Sequence, residues 1–451
     1  SSTLSETADN EHFKHKTINR VGAINVGEKN NPGQLLLQAT EDITFKGAQI
    51  NVKGNADIQA GNTLNVGTVE TENKQYFVKD SNNYYKLNQN NEIGSEFNIE
   101  GDARFVGKNA IEMRGASAVS NGTMSVLSEG DINIHESRQQ ERLSEATKWT
   151  KHGVFQSKGE TRRHNHNYDI AEGSTLDADK IYIHSNNGNV DIQGSNAVAE
   201  NGLVIKANNI DIHEAENRVY SDDYYSKKRS GALSGGIGIT FGSKSEKHDY
   251  ETEGWTQSDA RSTLGSMNGN ITVSAGNHTN VLGTDMITPR TNRIDIEGAS
   301  VKVEAGKDII ESKEGHEYKQ AGLTIAVTSP VVSTAQSMGH SIKRSREVKN
   351  EKLKQLHQMK AAYDSLELAQ NAANVANTVS NLGNMTAGNV SNPSIKVSIS
   401  VGASKSTILI ALDLVSLVAR CILTSGNTGV KSSKFGLSPN SSAGVEFTVF
   451  I

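Results

Sequence analysis

Residues 35–66 read LLLQATEDITFKGAQINVKGNADIQAGNTLNV, and in this stretch two apolar residues separated by one residue recur every six to eight positions. Each pair is typical of a short strand with one buried face, because successive side chains of a strand point to opposite sides. Gly and Asn lie between the pairs and suit tight corners, since both tolerate left-handed backbone angles. The pairs are Leu35/Leu37, Ile43/Phe45, Ile50/Val52, Ile58/Ala60 and Leu64/Val66.

The length and spacing of these strands favour one architecture. They are too short for helices and too closely spaced for the hairpins of a sandwich. The pattern predicts a mainly β protein built as a right-handed parallel β-helix, in which each strand pairs with its equivalent one coil later. Three strands make a coil of roughly 20 residues, and each coil adds one strand spacing of ~4.8 Å.

A longer repeat is superimposed on the first. The segments GNADIQAG (54–61), GNVDIQG (188–194) and GNITVSAG (269–276) are variants of one sequence, and INIHE (132–136), IDIHE (210–214) and the looser IIES (309–312) are variants of another. Such self-similarity predicts structural blocks of roughly 80 to 100 residues.

After each closing segment the apolar pairs stop, and a charged stretch leads into a Gly-punctuated, β-rich stretch. We interpret these excursions as β-hairpin arms that project from the β-helix, with decorations packed on its flank as the alternative. The predicted division is a polar lead-in (1–32), a β-helix block (33–136) with an insertion (72–94), an arm (137–173), a block (174–214), an arm (215–261), a block (262–311), an arm (312–344), a helical segment (345–383), a partial arm (384–406) and an atypical tail (407–451).

Composition excludes several classes of protein. The 451 residues carry 46 Lys and Arg against 51 Asp and Glu, a net charge of −5, so we expect no nucleic-acid partner. The single cysteine, Cys421, excludes an intramolecular disulfide framework and a Cys-based zinc site. Residues 1–10 are polar and begin with Ser, which we interpret as a fragment or a processed product without a signal peptide.

The C-terminal third departs from the β pattern. Residues 346–382 lack Gly and Pro, and apolar residues from Leu356 to Val379 recur at steps of three and four, which predicts an amphipathic helix with Ser345 as N-cap and Gly383 beyond its end. Residues 407–424 are mostly apolar, and as a helix they would align Asp413, Ser416 and Arg420. We hypothesise that the reading frame is interrupted near here, with a membrane-inserting helix as the alternative.

These features together resemble the haemagglutinin-repeat exoproteins of two-partner secretion systems, such as filamentous haemagglutinin and the contact-dependent growth-inhibition exoproteins. The resemblance covers roughly residues 20–330 and lies in the Gly-Asn segments, in SGGIGITFGSKS (234–245) and in STLG (262–265), with a further piece at 394–406. It implies a secreted or cell-surface protein with an outer-membrane transporter partner. It also implies a target-cell receptor, which could be a protein, a glycan or the outer membrane, and no small-molecule substrate.

Few residues are candidates for chemistry. Asp191, Asp211 and Asp295 each lie between inward aliphatic residues, and we expect isolated, solvated carboxylates rather than a calcium site. The same strand face should carry His164 and His166, which supply only half of a metal site. We interpret the equivalent residues His135 and His213 as structural. We therefore predict no catalytic, cofactor-binding or metal residues.

Aromatic residues cluster in two places that could bind glycans or protein receptors, or could instead belong to hairpins that cover the rod. The clusters are Tyr76, Phe77, Tyr84 and Tyr85, and Tyr220, Tyr224 and Tyr225. The sequence thus predicts a non-enzymatic exoprotein segment that acts in adhesion, or as the carrier region that delivers a C-terminal toxin to neighbouring cells. The alternative is a β-helical enzyme that acts on polysaccharides.

Overall fold

The computed structural model describes residues 3–9, 12–152, 156–234, 239–257, 259–317, 322–328, 350–355, 396–402 and 408–416. Almost all of them lie in strands. In the first half of the chain these are β1 (Thr3–Ala8), β2 (Phe13–Arg20), β3 (Gly22–Val26), β4 (Leu35–Ala39), β5 (Ile43–Lys46), β6 (Ala48–Val52), β7 (Ala56–Ala60), β8 (Thr63–Gly67), β9 (Val69–Asp80), β10 (Asn83–Ile93), β11 (Glu96–Ile99), β12 (Ala103–Gly107), β13 (Ala110–Arg114), β14 (Ser117–Ser120), β15 (Thr123–Ser128), β16 (Asp131–His135), β17 (Ser137–His152) and β18 (Gln156–Glu172).

The second half continues in the same manner. Its strands are β19 (Thr175–Ala178), β20 (Lys180–Ser185), β21 (Val190–Gln193), β22 (Asn196–Ala199), β23 (Leu203–His213), β24 (Asn217–Ser234), β25 (Ile239–Thr256), β26 (Thr263–Ser266), β27 (Ile271–Leu282), β28 (Asp285–Ile287), β29 (Ile294–Glu297), β30 (Ser300–Glu304), β31 (Asp308–Glu317), β32 (Gly322–Thr328), β33 (Lys396–Gly402) and β34 (Ile408–Ser416). The only described helix is the short turn at residues 351–355.

Strands β3 to β8, β11 to β16, β19 to β23 and β26 to β30 form parallel sheets that stack eight coils into a solenoid. Each coil gives one strand to an eight-stranded sheet and two strand segments to a fourteen-stranded sheet. The register follows the repeat, because Ile58 lies opposite both Leu37 and Phe105, its equivalents one coil before and after. The prediction of a mainly β fold with parallel strands is therefore confirmed.

The apolar pairs of the sequence line the inside of the solenoid. Ile50, Ile58 and Leu64 are fully buried in one continuous core that runs from the first coil to the last. Phe97 packs edge-on against Phe45 at 5.1 Å and against Phe105 at 5.2 Å between ring centroids, a favoured arrangement of aromatic rings. Side chains from neighbouring coils therefore contact each other along the solenoid axis, so the coils stabilise one another.

The excursions between coils, together with β1 and β2 before the first coil, form a third sheet, which we call the fin. It contains ten antiparallel strands in the order β1, β2, β9, β10, β17, β18, β24, β25, β31 and β34. The hairpins β9–β10, β17–β18 and β24–β25 pair with one another edge to edge; for example, Arg163 of β18 lies opposite Tyr224 of β24. Arms that we predicted as separate projections are thus joined into one surface.

The spacing of the coils explains why the hairpins meet. One hairpin leaves the chain after every second coil, following β8, β16 and β23, and β31 begins the next one after the eighth coil. Two coils advance by about 9.6 Å, and the two strands of a hairpin occupy the same width, because both sheets share one strand spacing. Successive hairpins are therefore presented at the distance at which their edges can pair.

The alternate coils turn the same corner without an excursion. Gly47, Gly115, Gly194 and Gly283 occupy this corner in the first, third, fifth and seventh coils, each with a φ angle between 52° and 58°. Residues other than glycine rarely adopt this left-handed conformation. The corner is therefore either a tight glycine turn or the exit of a hairpin, in strict alternation.

The last hairpin is interrupted by a long insertion. Strand β31 pairs with β34 and β32 pairs with β33, and the register is continuous, because the step from His316 to Gly322 matches the step from Ile408 back to Gly402. The predicted third arm and the predicted partial arm thus contribute to one hairpin, with residues 329–395 between its two halves.

This hairpin corrects one interpretation of the tail. Residues 408–416, which we interpreted as the start of an apolar helix, form β34 at the edge of the fin, where they pair with β31. Of the predicted helix at 345–383, only residues 350–355 are described, and residues 351–355 among them are helical. The other residues of the predicted helix at 345–383 lie outside the described residues, as do Arg420 and Cys421 of the tail. Within the described part of the chain, no helix has the length and apolar character that crossing a membrane requires.

Candidate functional site

The hairpins β9–β10, β17–β18 and β24–β25 are each fastened to the solenoid by a buried serine at the point where the chain returns. Ser174 donates a hydrogen bond to the backbone carbonyl of His135 at 2.7 Å and accepts one from the amide of Ala116 at 2.9 Å. One hydroxyl group thus joins the exit strand, the return strand and the preceding coil. The equivalent sets are Ser95 with Gly67 and Ala48, and Ser262 with His213 and Ser195.

Charged residues surround the base of the fin. The guanidinium group of Arg138 lies 2.7 Å from Asp169 and 3.3 Å from the buried Glu136, and it also donates to the carbonyl of Glu216 at 2.8 Å. Because Asp169 and Glu216 belong to neighbouring excursions, this single arginine links two hairpins. These contacts could not be predicted from the sequence, since Asp169 and Glu216 lie 31 and 78 positions after Arg138.

Glu214 lies at the exit of the β24–β25 hairpin and is 4% exposed. Neither of its carboxylate oxygens accepts a hydrogen bond from another described residue. The side chain packs against Gly283 and Gly306, where a β-carbon would collide with it. Burial raises the pKa of Glu214, although its own backbone amide, His213 and Arg261 partly offset this effect.

The fin itself is open to solvent on both faces. Every described side chain of β18 from Ser157 to Glu172 is at least partly exposed, although neighbouring residues point to opposite faces. Basic groups lie over aromatic rings on both faces: Arg162 lies 5.3 Å from the ring centre of Tyr225, and Arg163 lies 4.5 Å from that of Tyr224. Such contacts stabilise an exposed sheet without an apolar core.

A depression of about 530 Å³ lies on the fin and is lined by the four neighbouring strands β17, β18, β24 and β25. Its polar groups include the Arg162 guanidinium and the paired His164 and Asp223, whose ring nitrogen and carboxylate oxygen are 2.5 Å apart. Tyr250, at 38% exposure, supplies an aromatic surface beside them. The lining residues are Glu145, Ala146, Thr147, Arg162, Arg163, His164, Asp223, Tyr224, Tyr225, His248 and Tyr250.

The two histidines that we placed on one strand face lie together in the structure. The rings of His164 and His166 are stacked with their centres 6.0 Å apart, and His166 contacts the ring edge of Tyr168. Asp223 is the acidic neighbour of His164. Among the described residues, no group of three or more His, Cys, Asp or Glu side chains is placed to hold a metal ion.

The candidate carboxylates on the solenoid are less isolated than we expected. Asp191 and Asp211 lie opposite each other on the adjacent strands β21 and β23, because the coils between the hairpins stack directly. Burial alone would raise the pKa of Asp191, but hydrogen bonds from His135 at 3.2 Å and His213 at 2.9 Å hold it well below its usual range. Asp295 is paired with Arg293 at 2.8 Å. These contacts give the two histidines a role in joining coils.

The aromatic clusters belong to the fin. Phe77 is 53% exposed near the outer end of β9, and Tyr85 lies opposite it on β10. Strand β10 pairs with β17 of the next hairpin, so the insertion at 72–94 extends the fin and does not cover the solenoid. Tyr220, Tyr224 and Tyr225 lie on β24 within the same sheet.

The family model described as "Hemagglutinin repeat" matches residues 152–298. This range includes part of the fin, three coils of the solenoid, and the depression's residues from Arg162 to Tyr250. No solved structure matches the chain.

Several curated proteins are similar over longer stretches. The chain is 28% identical over 298 residues to "tRNA nuclease CdiA" of Yersinia mollaretii, which covers 64% of this chain and 10% of that protein. It is 34% identical over 203 residues to "tRNA nuclease CdiA" of Escherichia coli NC101, with 45% and 6% covered, and 27% identical over 268 residues to "Deoxyribonuclease CdiA" of Yersinia pseudotuberculosis, with 59% and 24% covered. The chain thus spans a tenth or less of the length of the Yersinia mollaretii and Escherichia coli relatives.

Proposed function

Because the chain belongs to the haemagglutinin-repeat exoproteins of two-partner secretion systems, we propose that it is a rod that presents the fin to neighbouring cells. Proteins of this class are secreted or displayed on the bacterial surface. The proposal has two forms, adhesion to a cell and delivery of a toxin carried elsewhere in the exoprotein. An outer-membrane transporter is the proposed secretion partner in both, and a target-cell protein, glycan or outer membrane is the proposed receptor.

The continuous pairing of hairpins from different repeats is the observation that carries this proposal. A solenoid needs only its inward side chains for stability, so hairpins of up to 18 residues per strand are not required by the core. They form a broad surface with exposed tyrosines and basic groups, residue types that contribute strongly to recognition. We therefore place cell contact on the fin.

We propose no catalytic role for this chain. The match to the nucleases is confined to a small share of their length, and the matching family model is a repeat. We also propose that the solenoid is right-handed, as nearly all parallel crossover connections are. The boundaries of the blocks and arms that the sequence predicts are likewise a proposal.

The fin can be shortened without disturbing its register. Lys74, Asn88, Arg142, Asn167, Tyr220 and Glu253 form one row across six strands. Removing residues 75–87, 143–166 and 221–252 and closing each hairpin with an Asn-Gly turn gives a trimmed fin. Purified, fluorescently labelled chain with an intact or trimmed fin is then mixed with bacterial cells.

We expect the trimmed chain to retain the solenoid and to lose cell binding at least tenfold, a change of about 1.4 kcal/mol. Equal binding by the two proteins would place cell contact on the solenoid and contradict the proposal. Point variants refine the test: Tyr250→Ala should weaken binding, whereas Tyr182→Ala, which removes a similarly exposed tyrosine from the solenoid, should not.

A further inference from the structure

The outward-facing positions of the eight-stranded sheet form one ladder along the solenoid. From the first coil to the eighth they are Asn25, Asn51, Asn98, Val119, Asp177, Val198, Gly265 and Ile287. In the first three coils the asparagines bind one another, with amide-to-carbonyl distances of 2.8 and 3.1 Å. The ladder is therefore polar and self-satisfied where it faces solvent.

The same ladder becomes apolar in the last coils. Val198 and Ile287 flank Gly265, whose missing side chain leaves a gap of two strand spacings between them. Leu353 packs against both residues, with Met267 beside it, and only 2% of its surface is exposed. A leucine from the C-terminal third thus fills a groove in the sheet.

Polar contacts fix the position of this leucine. The ammonium group of Lys352 lies 2.9 Å from Asp177 and 3.8 Å from Glu200, and it donates to the carbonyl of Ala178 at 3.2 Å. The side-chain amide of Asn350 donates to the second oxygen of Asp177 at 2.5 Å. Charge complementarity therefore supports the apolar contact.

The local backbone presents these three side chains together. The side-chain oxygen of Asn350 accepts a hydrogen bond from the amide of Leu353 at 2.9 Å, and its backbone carbonyl accepts one from Lys354 at 2.9 Å. This is the N-cap arrangement that starts a helical turn. Asn350 thus caps the turn with one side-chain atom and binds the sheet with the other.

The place of this segment in the sequence shows which part of the chain the contact connects to the solenoid. Residues 350–355 belong to the insertion 329–395 between β32 and β33, whereas the preceding hairpin has only residues 235–238 between its strands. The 22 residues from Thr328 to Asn350 can reach at most about 75 Å. Strands of 18 residues such as β24 are about 60 Å long, so a chain from the outer end of the fin can return to the solenoid.

We propose that the ladder from Asp177 to Ile287 is a docking groove for a short helical Asn-x-Lys-Leu segment, and that residues 350–355 of the same chain occupy it. The groove thereby ties the insertion of the last hairpin to the fifth through eighth coils. This inference does not depend on the proposed function, because it concerns only contacts within the chain.

Hydrogen exchange of the backbone amides of 350–355, measured on the full chain by mass spectrometry, tests the proposal. Lys352→Glu reverses the charge that faces Asp177 and Glu200, and Leu353→Ala removes the buried side chain. Lys354→Glu is the matched control, because Lys354 lies on the same turn and pairs only with its neighbour Glu351 at 3.4 Å among the described ion pairs. Exchange should be about tenfold faster in the first two variants and unchanged in the control.

Charge exchange provides the second arm. The double variant Asp177→Lys with Lys352→Asp restores opposite charges and should recover most of the protection lost in Lys352→Asp alone. Should Asp177→Lys unfold the sheet, Leu353→Ala alone decides the outcome, since it leaves the solenoid unchanged. The docking proposal would be overturned if the amides of 350–355 exchanged equally fast in Leu353→Ala and Lys354→Glu. It would also be overturned if a folded double variant recovered no protection relative to Lys352→Asp.

Discussion

The hydroxyl group of Ser262 donates a hydrogen bond of 2.6 Å to the backbone carbonyl of His213, although residues 214–261 lie between them in the sequence. Those residues form the β24–β25 hairpin, so the bond closes the excursion at its base. Ser262 is fully buried and also accepts the amide of Ser195 at 3.1 Å. The hairpin is therefore inserted between two residues whose positions the solenoid already fixes.

The first prediction concerns this serine. Ser262→Ala leaves a buried carbonyl and a buried amide without a side-chain partner, which should lower the free energy of unfolding by roughly 1–3 kcal/mol. Ser300→Ala is the control, because Ser300 is exposed on β30 and its loss should change stability by less than about 0.5 kcal/mol. Urea unfolding followed by circular dichroism measures both. Equal stability of the two variants would show that the serine does not fasten the hairpin.

The tight glycine corners give a second prediction. Gly194 has a φ angle of 53°, and a β-carbon there would lie 2.6 Å from the β-carbon of Ala215. Gly194→Ala should therefore cost more than the roughly 1–2 kcal/mol of a left-handed alanine. Gly67→Ala is the matched control, since its nearest neighbour would be a carbonyl oxygen at 3.9 Å. A similar melting temperature for both variants would contradict the assigned geometry.

The contact between Asp191 and His213 predicts a dependence on pH. The hydrogen bond that His213 donates to Asp191 raises the pKa of His213 above its usual 6.5 despite burial, and the two histidines lower the pKa of Asp191 below its usual 3.8. The contribution of His213 is complete below pH 6.5 and is lost as the pH rises through its raised pKa. That of Asp191 is complete above pH 3.8 and is lost as the pH falls towards its lowered pKa.

The pair therefore stabilises the fold most between about pH 4 and pH 6.5. Asp191→Asn should reduce the free energy of unfolding at pH 5.5 more than at pH 9. Unfolding in urea at the two pH values measures this difference, with Asp295→Asn as the control, because Asp295 pairs with Arg293 and not with a histidine. A loss in the free energy of unfolding that is the same at both pH values would show that Asp191 does not favour the charged form of His213.

Replacing Glu214 should stabilise the fold, whereas replacing Asp191 should destabilise it. Burial raises its pKa, so the folded chain keeps a proton that the unfolded chain loses as the pH rises above about 4.5. Its charge therefore destabilises the fold at neutral pH, and Glu214→Gln should be more stable than the parent at pH 7 and equal to it at pH 4. Thermal unfolding at both pH values tests this, with the exposed Glu304→Gln as control. A destabilised Glu214→Gln at pH 7 would indicate a partner for the carboxylate.

The sequence predicts the solenoid well because its signal is local. Ile58, Leu64 and their equivalents alternate with polar residues over a few positions, and most of them are buried, whereas Leu35 and Leu37 in the first coil are partly buried. What joins the hairpins was not visible, because Arg163 meets Tyr224 only when the coils bring two excursions to one strand spacing.

The local rules failed where long-range pairing decides the structure. Residues 408–416 are mostly apolar, but β31 offers them an unpaired sheet edge, and β34 pairs with that edge. The buried serines carried a weak signal, since Ser95 and Ser174 both follow a glycine at the return of a hairpin. Ser262 follows Arg261 instead, so the pattern could be recognised only in the structure.

One cross-linking measurement tests the pairing of hairpins from different repeats directly. Thr161 of β18 lies opposite Ser226 of β24, and opposed residues in an antiparallel sheet have α-carbon distances of about 4.5–5.5 Å, within the range of a disulfide. In a chain with Cys421→Ser, the pair Thr161→Cys and Ser226→Cys should oxidise readily. The pair Thr161→Cys and Tyr224→Cys, two residues out of register, should remain mostly reduced. A single continuous fin would be contradicted if the second pair oxidised fast, or if neither pair oxidised.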